Sequence, residues 1–236
     1  MANPKIGIVS GVGPLAGANV LEKVFRCAAL NHGAMEDAEY PDVIFINHGI
    51  DGVGNVAAMS DNFKNGIVSI AGQLENNGAT IIGIACNTAH LYLNDIRVGK
   101  NVKIVNLIDE VAKEAAKSKQ KYLLLTSATT REQKLYHGYL KKYGVGFSEV
   151  SSGQQKKLDE AIGLIMAYKL TDAGALLTSI LKRARNQGFD AVIAGCTELP
   201  IAIDYAENTF GMKVIDSNYV LASALTDAYY SGENVL

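Results

Sequence analysis

The stretch Asn76-Asn77-Gly78-Ala79-Thr80-Ile81-Ile82-Gly83-Ile84-Ala85-Cys86-Asn87-Thr88 lies without a gap on Asn186-Gln187-Gly188-Phe189-Asp190-Ala191-Val192-Ile193-Ala194-Gly195-Cys196-Thr197-Glu198. In both, Asn-x-Gly stops a helix, an apolar run of strand length follows, and a cysteine closes it before polar residues resume. Downstream, Lys103-Ile104-Val105-Asn106 matches Lys213-Val214-Ile215-Asp216, and the separation is again 110 positions, as it is between Cys86 and Cys196. Upstream, the strand that begins at Lys5 pairs with the one that begins at Lys121. Buried parallel strands are all rich in Val, Ile and Leu, so a likeness of apolar runs alone would mean little. Shared helix stops, shared cysteines and one constant offset read as an internal duplication instead. The half-units run from about Lys5 to Asp109 and from about Lys121 to Asp216.

Working outward, strands are expected over 5–10, 42–47, 80–85, 103–105, 122–126, 146–150, 191–195 and 213–215. Helices are expected over 15–31, 56–76, 130–142, 155–169 and 171–187. Short strands alternating with longer helices build parallel sheets through βα units. The expected fold is therefore α/β, with two pseudo-symmetric doubly wound domains, mainly parallel sheets, and an active site in the cleft between them. Only four prolines occur in 236 residues, and no Ser/Gly/Pro-rich linker marks a seam.

Hydrophobic residues make up 48% of the chain and charged residues 19%, with a mean hydropathy of +0.10, enough for a sizeable core and incompatible with a disordered chain. The 22 basic and 24 acidic residues are interspersed, so no basic block invites a nucleic acid or an anionic membrane. The opening Met1-Ala2-Asn3-Pro4-Lys5 leads into an apolar stretch too short for a signal sequence, and no apolar run reaches spanning length. A cytoplasmic protein whose partner is a small molecule is expected.

Three cysteines, Cys27, Cys86 and Cys196, do not suit a disulfide scaffold or a four-ligand zinc module. Cys27 falls on the apolar face of the first helix and reads as a packing residue. Cys86 and Cys196 directly follow apolar strands, and in open parallel sheets the carboxyl ends of the strands face the ligand crevice. If a pseudo-twofold axis relates the halves, the two thiols meet across one cleft. One thiolate can then take a proton from one face of a carbon while the other thiol delivers a proton to the opposite face. Such chemistry needs neither metal nor organic cofactor. A cysteine with a pKa of about 8.5 must be assisted, and Asn87-Thr88 and Thr197-Glu198 suit helix starts, whose amides favour a thiolate and a substrate carboxylate alike. Two other readings of the cysteines are a redox pair, for which a C-x-x-C arrangement is missing, and metal binding by Cys86 with His90. For the second, His32, His48, His90 and His137 show no zinc spacing.

Cys86-Asn87-Thr88-Ala89-His90 and Gly195-Cys196-Thr197-Glu198 resemble the paired cysteine motifs of the aspartate/glutamate racemase superfamily. The opening Ile6-Gly7-Ile8-Val9-Ser10-Gly11-Val12-Gly13-Pro14-Leu15 and the segment Leu124-Leu125-Thr126-Ser127-Ala128-Thr129 fit it too, in the right order over nearly the whole chain. Glu198 resembles the aspartate racemase branch, since glutamate racemases usually carry histidine there. The resemblance implies cofactor-independent racemisation of an amino acid by Cys86 and Cys196, and a homodimer. It also implies a C-terminal helix over 218–230 that returns to the first domain, so that the domains comprise 1–109 with 216–236 and 110–215. Carried over by motif, Asn87 and Thr88 bind the substrate α-carboxylate beside Cys86. Thr197 helps hold it from the other side, next to Cys196, and Glu198 is a further substrate-binding residue there; the hydroxyls of Thr126 and Thr129 lie nearby, and Ser10, Gly11 and Val12 approach the ligand with their backbone.

Two departures bear on the substrate. Glutamate racemases place an aspartate before the serine of the first loop, where this chain has Val9. Aspartate racemases that clamp the side-chain carboxylate with arginine would hold it near Val53, yet no Arg or Lys occurs between Pro41 and Asn62. A second cation could correspond to Lys169, which also reads as a solvated helix end. Aspartate is favoured and other amino acids stay open. The alternatives are a single-cysteine lyase, decarboxylase or hydantoin isomerase on the same scaffold, and a non-catalytic binder of small carboxylates.

Overall fold

The computed structural model describes residues 4–50, 60–206 and 208–232. Its strands are β1 (Ile6–Ser10), β2 (Val43–Asn47), β3 (Ile81–Ile84), β4 (Lys103–Ile104), β5 (Tyr122–Leu125), β6 (Phe147–Glu149), β7 (Ala191–Ala194) and β8 (Lys213–Asp216). They form two four-stranded sheets, ordered β2-β1-β3-β4 and β6-β5-β7-β8, and every pairing is parallel. Strands β1, β3, β5 and β7 are buried at every position, whereas β2, β4, β6 and most of β8 are only partly covered. That division is what helices on both faces of a parallel sheet produce, with continuous apolar strands in the middle and mixed ones at the edges.

The chain divides into two units, 1–110 with 218–236 and 111–217. Helices α1 (Pro14–His32) and α2 (Asp61–Asn76) belong to the first unit, and α3 (Leu107–Ala116) spans the junction. Helices α4 (Ala128–Glu132), α5 (His137–Lys142), α6 (Ser152–Met166), α7 (Leu170–Asn186) and α8 (Leu199–Ile203) belong to the second. Helix α9 (Ser217–Tyr230) carries the chain back to the first. The first unit has a core of Phe63, Ile67, Ile70 and Leu74 from α2 packed on Ile82 and Ile84. The second repeats the plan, with Leu158, Ile165, Leu177 and Leu181 of α6 and α7 on Leu123, Leu125 and Val192.

The duplicated Asn-x-Gly stops are matched bond for bond. The amide of Ala79 donates to the carbonyl of Leu74 at 3.0 Å, and that of Phe189 to Ala184 at 3.2 Å, closing each helix in the same Schellman manner before its strand begins.

Three helix expectations are corrected. The helix expected over 130–142 is broken into α4 and α5 by a turn in which Lys134 adopts φ 51°, and the break lets Tyr136 turn into the core. Helix α6 begins earlier than 155 because Ser151 and Gln154 form a capping box. It ends at Met166, where Tyr168 at φ 59° cannot continue it. Helices α3 and α8 are short: α3 starts where Asn106 Oδ1 accepts the amides of Ile108 and Asp109 at 3.1 and 3.2 Å, and α8 follows Thr197-Glu198 with Pro200 in its first turn. Of the helix expected over 56–76, residues 56–59 lie outside the described residues, and α2 starts after Ser60, whose Oγ accepts from the Phe63 amide at 3.2 Å.

Candidate active site

In each sheet the chain leaves the first strand in one direction and returns past it in the other, so the strand order reverses between β1 and β3 and between β5 and β7. Crevices for ligands open at such a switch point, outside the carboxyl ends of the strands. The loop after β1 carries Ser10, Gly11 and Val12, and the turn after β3 carries Cys86, Asn87 and Thr88. The loop after β5 carries Thr126 and Thr129, and the turn after β7 carries Cys196, Thr197 and Glu198. Every catalytic or substrate-binding residue expected from the motifs thus lies at the switch point of its own unit. All of them are buried.

Cys86 continues the face of β3 that presents Ile82 and Ile84, and Cys196 that of β7 with Val192 and Ala194. Alternate residues of a strand share a face, so both thiols project onto the face covered by α2 or by α6 and α7. None of the three cysteines is in a disulfide. Cys27 has no exposed surface, and burial pushes its thiol up to about 11, as befits a packing residue. Cys86 and Cys196 each keep 8% of their surface open.

The surroundings of the two thiols differ. At Cys196 the thiol donates to Oε2 of Glu198 at 3.0 Å, and the Thr197 hydroxyl donates to the same oxygen at 3.3 Å. Burial raises the proton affinity of the Glu198 carboxyl, and the two hydrogen bonds oppose that rise. Oε2 of Glu198 is thus the buried acceptor of the Cys196 thiol hydrogen bond. The sequence places Glu198 among the substrate-binding residues, and one oxygen of its carboxyl group, Oε2, is engaged with Cys196 and Thr197.

At Cys86 the support comes through the backbone. His90, in the 3₁₀ helix Thr88–Asp95, donates from Nδ1 to the Cys86 carbonyl at 2.8 Å and accepts at Nε2 from the Leu107 amide at 3.1 Å. Both ring nitrogens are occupied, which removes the reading of Cys86 and His90 as a metal pair. Burial holds the ring down to about 4, so it is neutral at pH 7. An unfolded chain takes up a proton near pH 6.5, whereas the folded one resists until about pH 4. Stability from this group is therefore complete above pH 6.5 and lost as the pH falls toward 4. Urea unfolding of the wild type beside His90→Gln should reveal an extra loss of about 3 kcal/mol over that window in the wild type.

The first loop owes its shape to Gly11 and Gly13, at φ 102° and 98°. A Cβ at Gly11 would overlap the His48 carbonyl as well. The Ser10 side chain turns away from this loop and donates to Asn47 Oδ1 at 2.9 Å, leaving the backbone of Gly11 and Val12 as the part that can approach a ligand. Gly195 has a different reason to be glycine. Its amide donates to Leu125 at 2.8 Å, and a Cβ there would come within 2.9 Å of both Thr126 Cγ2 and Tyr136 Cε2. Gly195→Ala should destabilise the second unit by about 1–3 kcal/mol, read from the denaturation midpoint, because the fully buried Tyr136 has nowhere to retreat.

Lys169 is exposed at the start of α7. The position near Val53 lies outside the described residues. Sequence reading does not single out Arg131, Glu149, Gln155 or Asp159, which are bonded to one another around the loop after β5 and carry no motif signal. Among the described residues no helix is long and apolar enough to cross a membrane.

Comparison with known proteins agrees with this arrangement. A profile of the Asp/Glu/hydantoin racemase family matches residues 9–225. The broad specificity amino-acid racemase RacX of Bacillus subtilis is 26% identical over 224 residues, which cover 95% of this chain and 97% of RacX. The structure of Picrophilus torridus aspartate racemase superposes with a TM-score of 0.83 at 28% identity, covering 96% of this chain and 94% of the other. An aspartate racemase homologue from Pyrococcus horikoshii gives 0.76 at 27% identity, with coverage of 96% and 99%. With its two parallel-sheet units and a profile match across nearly its whole length, the chain belongs to the Asp/Glu/hydantoin racemase family and is an isomerase acting on amino acids.

Proposed function

We propose that the protein interconverts amino acid enantiomers without a cofactor, using Cys86 and Cys196 as a pair of opposed bases. The observation that carries the reading is positional. Each cysteine is the second residue beyond the equivalent strand, at the switch point of an identically ordered sheet. In one direction the thiolate of one cysteine takes the Cα proton, and the electron pair passes into the substrate carboxylate as an enolate. The thiol of the other cysteine gives its proton to the opposite face. The turnover leaves the first cysteine as thiol and the second as thiolate, which is the form that acts on the product enantiomer. Asn87, Thr88 and Thr197 hold the α-carboxylate, and their hydrogen bonds strengthen as charge builds on it. Thr126 and Thr129 complete the polar lining. Glu198 takes the proton of Cys196 and so prepares it as a base.

Aspartate is the first substrate to test, by analogy with the aspartate racemase of Picrophilus torridus. A broader range is the second, by analogy with RacX, and two observations favour it. The guanidinium of Arg131 is committed to Glu149 at 3.2 Å and to Gln155 at 3.3 Å, and Lys169 is exposed. A side-chain carboxylate gains its selectivity from a bidentate cation, and neither group is offered as one. The test is exchange of the α-proton in heavy water, followed by NMR over free amino acids with no pyridoxal phosphate or metal added. Exchange with inversion is expected; silence toward every amino acid would overturn the proposal.

A further inference from the structure

The geometry points to Gln155 and Asp159 as positioning residues that hold the loop after β5 in place for substrate. This rests on the proposal that Thr126 and Thr129 line the substrate site. The two residues are four apart on α6 and so share one helix face. Gln155 is buried, and its amide nitrogen donates to the Thr126 carbonyl at 2.9 Å and to Asp159 Oδ1 at 3.0 Å. Its amide oxygen accepts from Arg131 at 3.3 Å, and the Arg131 Nε donates to Glu149 Oε2 at 3.2 Å. Asp159 Oδ1 also accepts the Ala128 amide at 3.2 Å. Ala128 is the first residue of α4, where the amide lacks an intrahelical partner and a carboxylate is favoured.

The loop is thereby gripped on both sides of Ser127. Its entry is held at the Thr126 carbonyl and its exit at the Ala128 amide, by one side-chain pair on a separate helix. Hydroxyls on either side of such a grip keep a fixed spacing, whereas a short loop held only at its strand end would let Thr129 wander. The polar atoms of Gln155 are all used inward, so it acts through Thr126 and Thr129 and not by touching substrate. Glu149, Arg131 and Gln155 form one chain, which carries the grip back to the end of β6.

The test compares wild type, Gln155→Met and Asp159→Ala by amide hydrogen exchange, thermal melting and α-proton exchange kinetics. Gln155→Met keeps the side-chain length and removes the hydrogen bonds. Exchange of the amides over 126–131 should speed up at least about tenfold while the melting transition stays cooperative. KM should rise more than kcat falls, with kcat/KM down about 100-fold, the scale of a misplaced substrate group. Thr126→Val added to Gln155→Met should cost less than Thr126→Val alone, since the hydroxyl is already displaced. An active wild type with either unchanged amide exchange or an unchanged KM in Gln155→Met overturns the assignment alone. If Gln155→Met fails to fold, Asp159→Ala is measured in the same way, and the same two outcomes support or overturn the assignment. A wild type silent toward every amino acid overturns the racemase proposal, and this assignment with it.

Discussion

Replacing either Cys86 or Cys196 by alanine should reduce racemisation by about three orders of magnitude, because each variant lacks the acid or the base for one face of the α-carbon. The two variants should fail in different ways. With one thiol left, a single enantiomer can still lose its α-proton to that thiol, and the proton can exchange with solvent and return to the same face. Cys86→Ala and Cys196→Ala should therefore each retain slow deuterium incorporation into one enantiomer, of opposite hand in the two variants, with no inversion. Both thiols are buried residues of modest volume, and an alanine leaves a small cavity, so thermal melting should show both variants folded. Full racemisation in either variant would overturn the two-base mechanism. Incorporation into both enantiomers by one variant would point to a single-base enzyme.

The second large effect is expected at Glu198. Its carboxylate accepts the Cys196 thiol hydrogen bond at 3.0 Å, and burial raises its proton affinity. A glutamine there keeps the shape and cannot take the proton, so the Cys196 thiolate must form by loss of a proton to solvent. Glu198→Gln should lower kcat/KM about 10²- to 10³-fold, the usual worth of a proton acceptor. It should also move the onset of activity upward in pH, toward the ordinary thiol range near 8.5. The two enantiomers have equal free energy in water, so kcat/KM must fall by the same factor in both directions. Measuring the pH profile with each enantiomer checks both statements. An unchanged profile would reduce Glu198 to a packing residue, and an unequal loss would show that something besides racemisation is being measured.

Much of the architecture is legible in the chain because parallel sheets leave a strong mark. A strand covered on both faces must be apolar at every position, so Ile81-Ile82-Gly83-Ile84 and Ala191-Val192-Ile193-Ala194 can be placed from composition alone. The helix stops at Asn-x-Gly are equally readable, since few residues other than glycine end a helix that way. Short elements are less so. The break at Lys134 carries no proline or glycine, and it goes with the packing of Tyr136 near Gly195, a residue far along the chain.

The same division applies to the site. By itself the sequence determined that there are two similar α/β halves and that a cysteine stands just past one strand in each, because these features are local and repeat at one offset. The tertiary structure alone decided how the side chains are used. His90 reaches the amide of Leu107, 17 residues away, and Gln155 reaches the carbonyl of Thr126, 29 residues away. Such partners are brought together by the packing of helices on sheets, which no local pattern encodes. Protonation follows the same rule. His90 is held neutral and Glu198 is made basic by burial, a property of everything that surrounds them and not of their neighbours in sequence.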